Sequence, residues 1–205
     1  MGVGNGLEPR EGGAGRAKHP MFYFDLASPV AYLAAERVNH ALGEVPEWIP
    51  VRLGEVGPFR CAAEVDAYRE DVERAARAQG VQPLRWPDPF PVDDTEFAML
   101  AATYAKQIGR AVAFSLAAFR QAFAGGRTLD EDTILIAAAA CEMHPRAVQQ
   151  ALTRSSVAAA LDVATAAAAT AGVREVPAIV VGERVFEGDE AVEQAAAALT
   201  EAASA

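Results

Sequence analysis

The chain has 205 residues and a mass of 21.5 kDa, which suffices for one domain with a full core, or one with an insertion, and excludes a multi-domain assembly. Its formal charge of -10 and pI of about 4.8 exclude nucleic acids and anionic membranes as expected partners, because the chain offers no basic stripe to them. No apolar run is long enough to predict a transmembrane helix. Alanine supplies 47 residues, which favours closely packed helices.

Residues 1–20 are rich in glycine and lack the apolar segment of a signal peptide, so we expect a disordered tail and a cytoplasmic protein. Cys61 and Cys141 form neither a Cys-x-x-Cys pair nor a Cys/His cluster. We expect them to be inert thiols in helices. No metal site is predicted, because the histidines have no partners at metal-ligand spacing. These are His19, His40 and His144.

Structure is predicted to begin with a buried strand at residues 21–25, followed at once by a helix. Apolar residues then recur at helical spacing from Ser28 until Gly43, which predicts a single helix between them. A second strand is predicted at residues 47–53, where Pro50 indicates an edge strand or an irregular segment. The order is that of a βαβ unit.

Helical patterns fill the middle of the chain. They predict helices at residues 61–79, 94–107, 110–124, 131–143, 146–152 and 155–171. The segment VQPLRWPDPFPVDD lies between the first two, and its prolines exclude a regular helix. This loop is either a rigid connector ordered by Trp86 and Phe90 or the roof of a pocket.

Strand patterns return near the end of the chain. The apolar run PAIVVG, a tight turn at Glu183 and Arg184, and the segment ERVFEG predict a β-hairpin, and a last helix is predicted at residues 189–203. The complete order predicts an α/β fold. Residues 21–53 and 155–203 would form a thioredoxin-like core, and residues 54–154 an all-helical insertion.

Ser28 is the first candidate functional residue. Ser28 and Pro29 are a standard helix start, with serine at the N-cap and proline at N1, and this role alone explains both. Alternatively, a hydroxyl beside the free N–H groups of a helix N-terminus can stabilise an anion or a thiolate. Asp25 is either satisfied by the turn that follows it or a charge that tunes the site near Ser28.

A second candidate site lies around Val176 and Pro177. A cis peptide bond before this proline would turn the backbone N–H and C=O groups of Val176 outward, so that they could pair with an extended ligand. Gly188 and Asp189 precede the last predicted helix. Asp189 is either the N-cap of that helix or a carboxylate that binds a ligand ammonium group.

Three segments occur in an order that resembles a known family. FYFDLASPVAYLA, PFPVDD and VPAIVVGERVFEGDEAV, within residues 21–203, resemble the 2-hydroxychromene-2-carboxylate isomerases and kappa-class glutathione transferases of the DsbA-like thioredoxin superfamily. Dithiol oxidoreductases of that superfamily have Cys-x-x-Cys where this chain has Ser-Pro-Val-Ala at residues 28–31. Disulfide exchange requires an attacking thiolate, so we do not expect it here.

The resemblance implies a cofactor, a substrate and residue roles. The cofactor would be glutathione or another low-molecular-weight thiol, and the substrate a small aromatic molecule with a conjugated pyruvate group. Ser28 would contact the sulfur, Val176 before cis-Pro177 would bind the peptide backbone, and Asp189, after Gly188, would hold the amino group. Reversible thiolate addition would make the double bond rotatable and yield the trans ring-opened isomer. The resemblance also implies a homodimer.

The chain departs from the family pattern at three positions. One is Asp93, where the family motif PFPxN would supply an asparagine. Around Tyr68, where the family has a lysine, it has Glu64, Asp66 and Arg69, and Glu190 stands where the family commonly has arginine. A thiol other than glutathione therefore remains an alternative.

Three functions stay open at this point. The chain is a thiol-dependent isomerase, a kappa-like glutathione transferase, or a non-catalytic binding protein that has lost thiol binding. An open polar slot between Ser28, Val176 and Asp189 would favour an enzyme, and a cleft plugged by side chains would favour the binding protein.

Overall fold

The structure, a computed structural model, describes residues 19–53, 56–92 and 94–204. Most of the tail predicted at residues 1–20 therefore lies outside the described residues. Within the described part of the chain, strands come from its two ends and helices fill the middle, as the sequence patterns predict. The architecture is α/β, and helices cover both faces of one sheet.

The sheet is mixed and four-stranded. Its strands are β1 (Met21–Phe24), β2 (Glu47–Pro50), β3 (Ala178–Val181) and β4 (Arg184–Glu187), in the spatial order β2-β1-β3-β4. β1 runs parallel to β2 and antiparallel to β3, with Tyr23 opposite Ala178. The position of β2 confirms the edge strand expected from Pro50, because proline has no N–H for a second ladder.

β3 and β4 form the predicted hairpin, but its turn lies one residue earlier than expected. Gly182 and Glu183 form the turn, and Arg184 already pairs with Val181. Gly182 has a φ of +65°, a conformation that glycine adopts without steric cost. The prediction of a turn at Glu183 and Arg184 is therefore wrong by one position.

The helices follow the predicted segments closely. They are α1 (Pro29–Ala35), α2 (Val38–Ala41), α3 (Ala62–Ala78), α4 (Glu96–Gln107), α5 (Ala111–Phe119, continued by a π-helical turn at Arg120–Ala124), α6 (Glu131–Ala140), α7 (Pro145–Leu152), α8 (Ser155–Thr170) and α9 (Ala191–Ala203). The alanines of α4 show why the composition favours close packing, since they are fully buried against neighbouring helices. These are Ala98, Ala101, Ala102 and Ala105.

The single helix predicted from Ser28 to Gly43 is wrong, because the helix breaks at Glu36 and Arg37. The Arg37 N–H donates to the carbonyl three residues back instead of four, and its Nε donates to the Leu33 carbonyl. Arg37 also pairs with Glu193 of α9, while Glu36 forms two hydrogen bonds with Arg120. These ion pairs join segments that are remote in sequence, so the apolar periodicity does not reveal the break.

Because side chains alternate between the two faces along each strand, each face of the sheet has its own hydrophobic core. Phe22 and Phe24 point to the face covered by α1, α9 and the insertion, where their ring centroids lie 5.7 Å apart. Trp48 packs edge-on against Phe22 at 4.9 Å, and its Nε1 donates to Asn39 Oδ1. Tyr23 points to the opposite face, which α8 covers. Among the described helices, none is long and apolar enough to cross a bilayer.

Trp48→Ala tests this core. We expect a loss of about 3 to 5 kcal/mol in the free energy of unfolding, because the substitution leaves a cavity between the aromatic rings of β1 and the helices. Urea denaturation measures the loss. Val163→Ala, at a side chain of α8 that is 68% exposed, is the control and should change the value by less than about 0.5 kcal/mol. A Trp48→Ala loss no larger than that of the control would contradict the packing.

Candidate active site

Four of the five residues predicted to bind a ligand line one slot of about 410 Å³. Ser28 reaches it from the start of α1, Val176 from the loop before β3, and Gly188 and Asp189 from the loop between β4 and α9. Pro177 is buried behind Val176 and does not line the slot. We call this cavity the Ser28 slot. Its further walls include Val30, Leu53, Val56, Pro58, Phe59 and Tyr68.

Ser28 is the N-cap of α1, as the helix-start pattern predicts. Its Oγ accepts a hydrogen bond from the Ala31 N–H at 3.1 Å, and Pro29 occupies the first helical position. Ser28 is only 4% exposed, and its hydroxyl proton has no acceptor among the described residues. The capping role therefore leaves the hydroxyl free to donate to a ligand in the slot.

The peptide bond between Val176 and Pro177 is cis, as the resemblance implies. Pairing of β1 with β3 begins only at Ala178, and within the described chain no backbone hydrogen bond engages the N–H or C=O of Val176. The Pro177 carbonyl accepts from the Gly188 N–H at 3.0 Å, which joins the two loops of the slot. The Val176 backbone is therefore available to an extended ligand.

Asp189 is not the N-cap of the last helix, so this alternative from the sequence is wrong. α9 begins at Ala191, and Glu190 occupies the cap position without a side-chain cap bond. Gly188 has a φ of +78°, and its carbonyl accepts from the Ala191 N–H, so the turn delays the start of the helix. The Asp189 side chain consequently remains at the slot, where no described residue forms an ion pair or hydrogen bond with its carboxylate.

Tyr68 of α3 is a slot residue that the sequence did not reveal as one. Its ring lies 5.5 Å from that of Phe59 and 6.2 Å from that of Phe90. Burial, reinforced by the negative charge of Asp189, raises the pKa of Tyr68 to about 12. The phenol is therefore protonated at neutral pH and is a hydrogen-bond donor. Only the packing of α3 beside the slot shows this role, because the local sequence looks like a solvated helix.

The charged residues around Tyr68 in the sequence do not enter the slot. The Arg69 guanidinium lies over the rings of Trp86 and Phe90, 5.5 and 5.2 Å from their centroids. The Glu64 carboxylate accepts from the Arg60 N–H at the start of α3. Arg69 therefore does not replace the lysine of the resembled family. The acidic residue that joins Asp189 at the slot is instead Glu175, which no sequence pattern indicated.

Glu187 is a second residue whose role no sequence pattern indicates. Its Oε1 accepts from the backbone N–H groups of Arg174 and Glu175, at 2.6 and 3.1 Å. These bonds connect the end of β4 to the loop before Val176. Glu187 is therefore a positioning residue for the slot, and strand alternation alone gives no sign of this role.

A larger chamber of about 840 Å³ adjoins the Ser28 slot and shares the walls Val56, Pro58 and Phe59. Pro91, Val92 and Asp94 from the end of the proline-rich loop also line it, which supports the interpretation of that loop as part of a roof. Arg52, Arg60, Cys61 and Glu96 are further lining residues. We call this cavity the adjoining chamber.

Asp25 fulfils the first of the two roles that the sequence left open. Its Oδ1 accepts from the Ala27 N–H at 2.9 Å, so the following turn does engage it. Asp25 is also 4% exposed and, like Ala27, lines the adjoining chamber. Ala27 directly precedes Ser28. Of the two cysteines, Cys141 is buried and burial raises its pKa, whereas Cys61 is exposed in the chamber. The described residues contain no group of acidic, cysteine and histidine side chains that could hold a metal ion.

Asp189→Asn tests the electrostatic interaction between Asp189 and Tyr68. We expect it to lower the pKa of Tyr68, because it removes the negative charge that disfavours the phenolate. NMR of ¹³Cζ-labelled tyrosine follows the titration, and Tyr68→Phe assigns the signal. Glu190→Gln is the matched control and should leave the titration unchanged. The arrangement is wrong if Asp189→Asn leaves the Tyr68 titration where it was.

Comparisons with known proteins agree with this fold. A solved 2-hydroxychromene-2-carboxylate isomerase superimposes with a TM-score of 0.77 at 22% identity, over 90% of this chain and 95% of that one. A probable DsbA oxidoreductase from Streptomyces coelicolor gives 0.73 at 20% identity, over 91% and 90% of the two chains. The cytosolic disulfide reductase DsbM from Pseudomonas aeruginosa, solved with GSH, gives 0.66 at 12% identity, over 91% and 100%.

At these identities the solved structures establish the fold alone, and they confirm the predicted α/β, thioredoxin-like architecture with helical insertion. A search of curated proteins finds no match. The profile of the DSBA-like thioredoxin domain, however, matches residues 21–200, which include every element of the sheet and nearly all of α9. The chain belongs to the DSBA-like thioredoxin domain family.

Proposed function

We propose that the protein is a thiol-dependent isomerase, with a reaction like that of 2-hydroxychromene-2-carboxylate isomerase. The observation that carries the proposal is the open Ser28 slot, in which a buried serine hydroxyl, a free backbone at Val176 and the Asp189 carboxylate face one cavity. An open slot of this kind favours an enzyme over a binding protein with a plugged cleft. Disulfide exchange is not proposed, because the sequence has no Cys-x-x-Cys pair.

Two of the solved structures with this fold support the choice of chemistry. One is a 2-hydroxychromene-2-carboxylate isomerase, and another, a disulfide reductase, was solved with GSH. The residues that line the slot also support a small thiol as the ligand. Ser28 offers a donor for the sulfur, Val176 offers an N–H and a C=O for an extended backbone, and Asp189 offers a carboxylate for an ammonium group.

The bound thiol would supply the covalent chemistry, because its sulfur can bond to the alkene carbon β to the ketone while the alkene electrons move to the ketone oxygen, and it leaves as thiolate after rotation about the remaining single bond. The protein's own contribution is to stabilise the thiolate and to position the two reactants. These tasks need no nucleophile or metal from the chain.

Ser28 is the residue that would stabilise the thiolate. Its hydroxyl proton is free, and within the described chain the Val30 N–H, in the first turn of α1, also has no hydrogen-bond acceptor. Two donors at one helix N-terminus favour a negatively charged sulfur over a neutral thiol, and the helix dipole acts in the same direction. The low exposure of Ser28 strengthens these interactions, because little water competes for them.

The adjoining chamber is the proposed site of the aromatic substrate. It shares Val56, Pro58 and Phe59 with the Ser28 slot, so a flat ring in the chamber would contact the same walls as the thiol. Arg60, whose side chain is 91% exposed, is the cation proposed to attract the pyruvate carboxylate. Arg52 is less available, because Glu96 and Asp162 already pair with it.

Ser28 variants test the proposal. In an assay that follows cis-to-trans isomerisation of a hydroxybenzylidene pyruvate with added thiol, we expect Ser28→Ala to lower kcat/KM by about 100-fold, as is typical when one donor to a developing charge is lost. Ser28→Asp should also be inactive, although aspartate caps a helix as well as serine does, because its charge repels the thiolate. Circular dichroism confirms folding. Ser156→Ala, an exposed serine of α8, should retain full activity.

One outcome would contradict the proposed role of Ser28, and another would contradict the isomerase. Full activity of Ser28→Ala would show that the hydroxyl does not stabilise the thiolate. Release of a stable thiol conjugate in place of the trans isomer would indicate the kappa-like transferase, because addition without elimination is the transferase reaction.

A further inference from the structure

The Ser28 slot contains two carboxylates and no cation. Glu175 and Asp189 line it, and among the described lining residues there is no lysine, arginine or histidine. Glu175 reaches the residue before Asp189, since Glu175 Oε1 is 3.5 Å from the position that a Cβ on Gly188 would take. Within the described chain, neither carboxylate has an ion-pair partner or a hydrogen-bond donor.

Three arginines from this part of the fold do not line the slot. Arg69 lies over the rings of Trp86 and Phe90. Arg52 and Arg60 line the adjoining chamber, where Arg52 pairs with Glu96 and Asp162, and Arg60 lies 3.8 Å from Glu64. No cation from these residues neutralises the slot.

The negative charge of the slot would therefore disfavour thiols with carboxylates and favour thiols with an ammonium group. Glutathione has two carboxylates and one ammonium group, so each of its carboxylates would enter a cavity whose fixed charges are negative. Glu175 and Asp189 are exposed, so at low ionic strength they repel the carboxylates of glutathione through water, and the net charge of -10 adds to this repulsion. An ammonium group, in contrast, would gain two partners without displacing any existing ion pair.

We propose that the Ser28 slot selects a low-molecular-weight thiol that has a free ammonium group and no carboxylate. This inference rests on the proposed thiol-dependent function and specifies its cofactor class. Glu175 and Asp189 hold the ammonium group, the backbone of Val176 pairs with an amide of the thiol, and Ser28 donates to the sulfur. Glu175 is the specificity-determining residue, because its carboxylate has no other partner.

Calorimetric titration with reduced glutathione and with its diethyl ester tests the selection. The two compounds share the thiol, the ammonium group and the peptide backbone, and differ in the charge of the carboxyl groups. We expect the ester to bind about tenfold more tightly at low ionic strength, and added salt to reduce the difference. The N-acetylated ester, which lacks the ammonium charge, should bind about tenfold more weakly than the ester.

Glu175→Gln separates charge from the larger size of the ester. We expect this variant to discriminate less between glutathione and the ester, because one of the two negative charges that repel the carboxylates of glutathione is gone, whereas both compounds lose the same ammonium partner. Glu183→Gln is the matched control: it removes the same charge at the turn of the hairpin, away from the slot, and should leave both affinities unchanged.

The outcomes distinguish this inference from the function on which it rests. Glutathione that binds as tightly as its ester, or a Glu175→Gln variant with unchanged discrimination, overturns the selection by charge and leaves a thiol-dependent enzyme in place. No binding of glutathione, its ester or the acetylated ester overturns the thiol-dependent function and this inference with it.

Discussion

The pairing of β1 with β3 is the contact on which the whole site depends. These strands come from opposite ends of the chain, and their antiparallel register places Tyr23 opposite Ala178. The end of β1 and the beginning of β3 therefore meet at the same end of the sheet. Ser28 and Val176, which follow and precede these strands, consequently face one slot although nearly three-quarters of the chain separates them. The Phe22, Phe24 and Trp48 rings stabilise this arrangement by packing beneath α1.

The helical insertion completes the site without supplying its reactive groups. α3 brings Tyr68 beside Asp189, and the segment before α3 brings Phe59, which is shared by the slot and the adjoining chamber. Two reactants could therefore lie next to each other on either side of one apolar wall. The thioredoxin-like core positions the Ser28 hydroxyl and the backbone groups of Val176, and the insertion shapes the space around them. One fold can host different reactions in this way.

The charge of the slot separates this chain from the family that its motifs resemble. The resemblance implies a lysine near Tyr68, and the cation that this chain has there is Arg69, whose guanidinium lies over aromatic rings and not in the slot. Glu175 then joins Asp189 without a neutralising partner. A shared helix start and a shared cis-proline therefore do not imply a shared cofactor. The charged groups of a cofactor contact other side chains, and these differ between proteins of one fold.

Much of the fold and part of the site could be predicted from the sequence alone. Local patterns predict the strands, the positions of the insertion helices and the cap at Ser28, and residue identity shows that a redox pair is absent. These patterns are the spacing of apolar residues and capping chemistry, which act within a few residues. Only the tertiary structure decided that the first helix breaks at Arg37, that Asp189 does not cap α9, and that Glu175 and Tyr68 line the slot. Each of these features depends on ion pairs, turns or contacts between segments remote in sequence, and no local pattern records which segments meet.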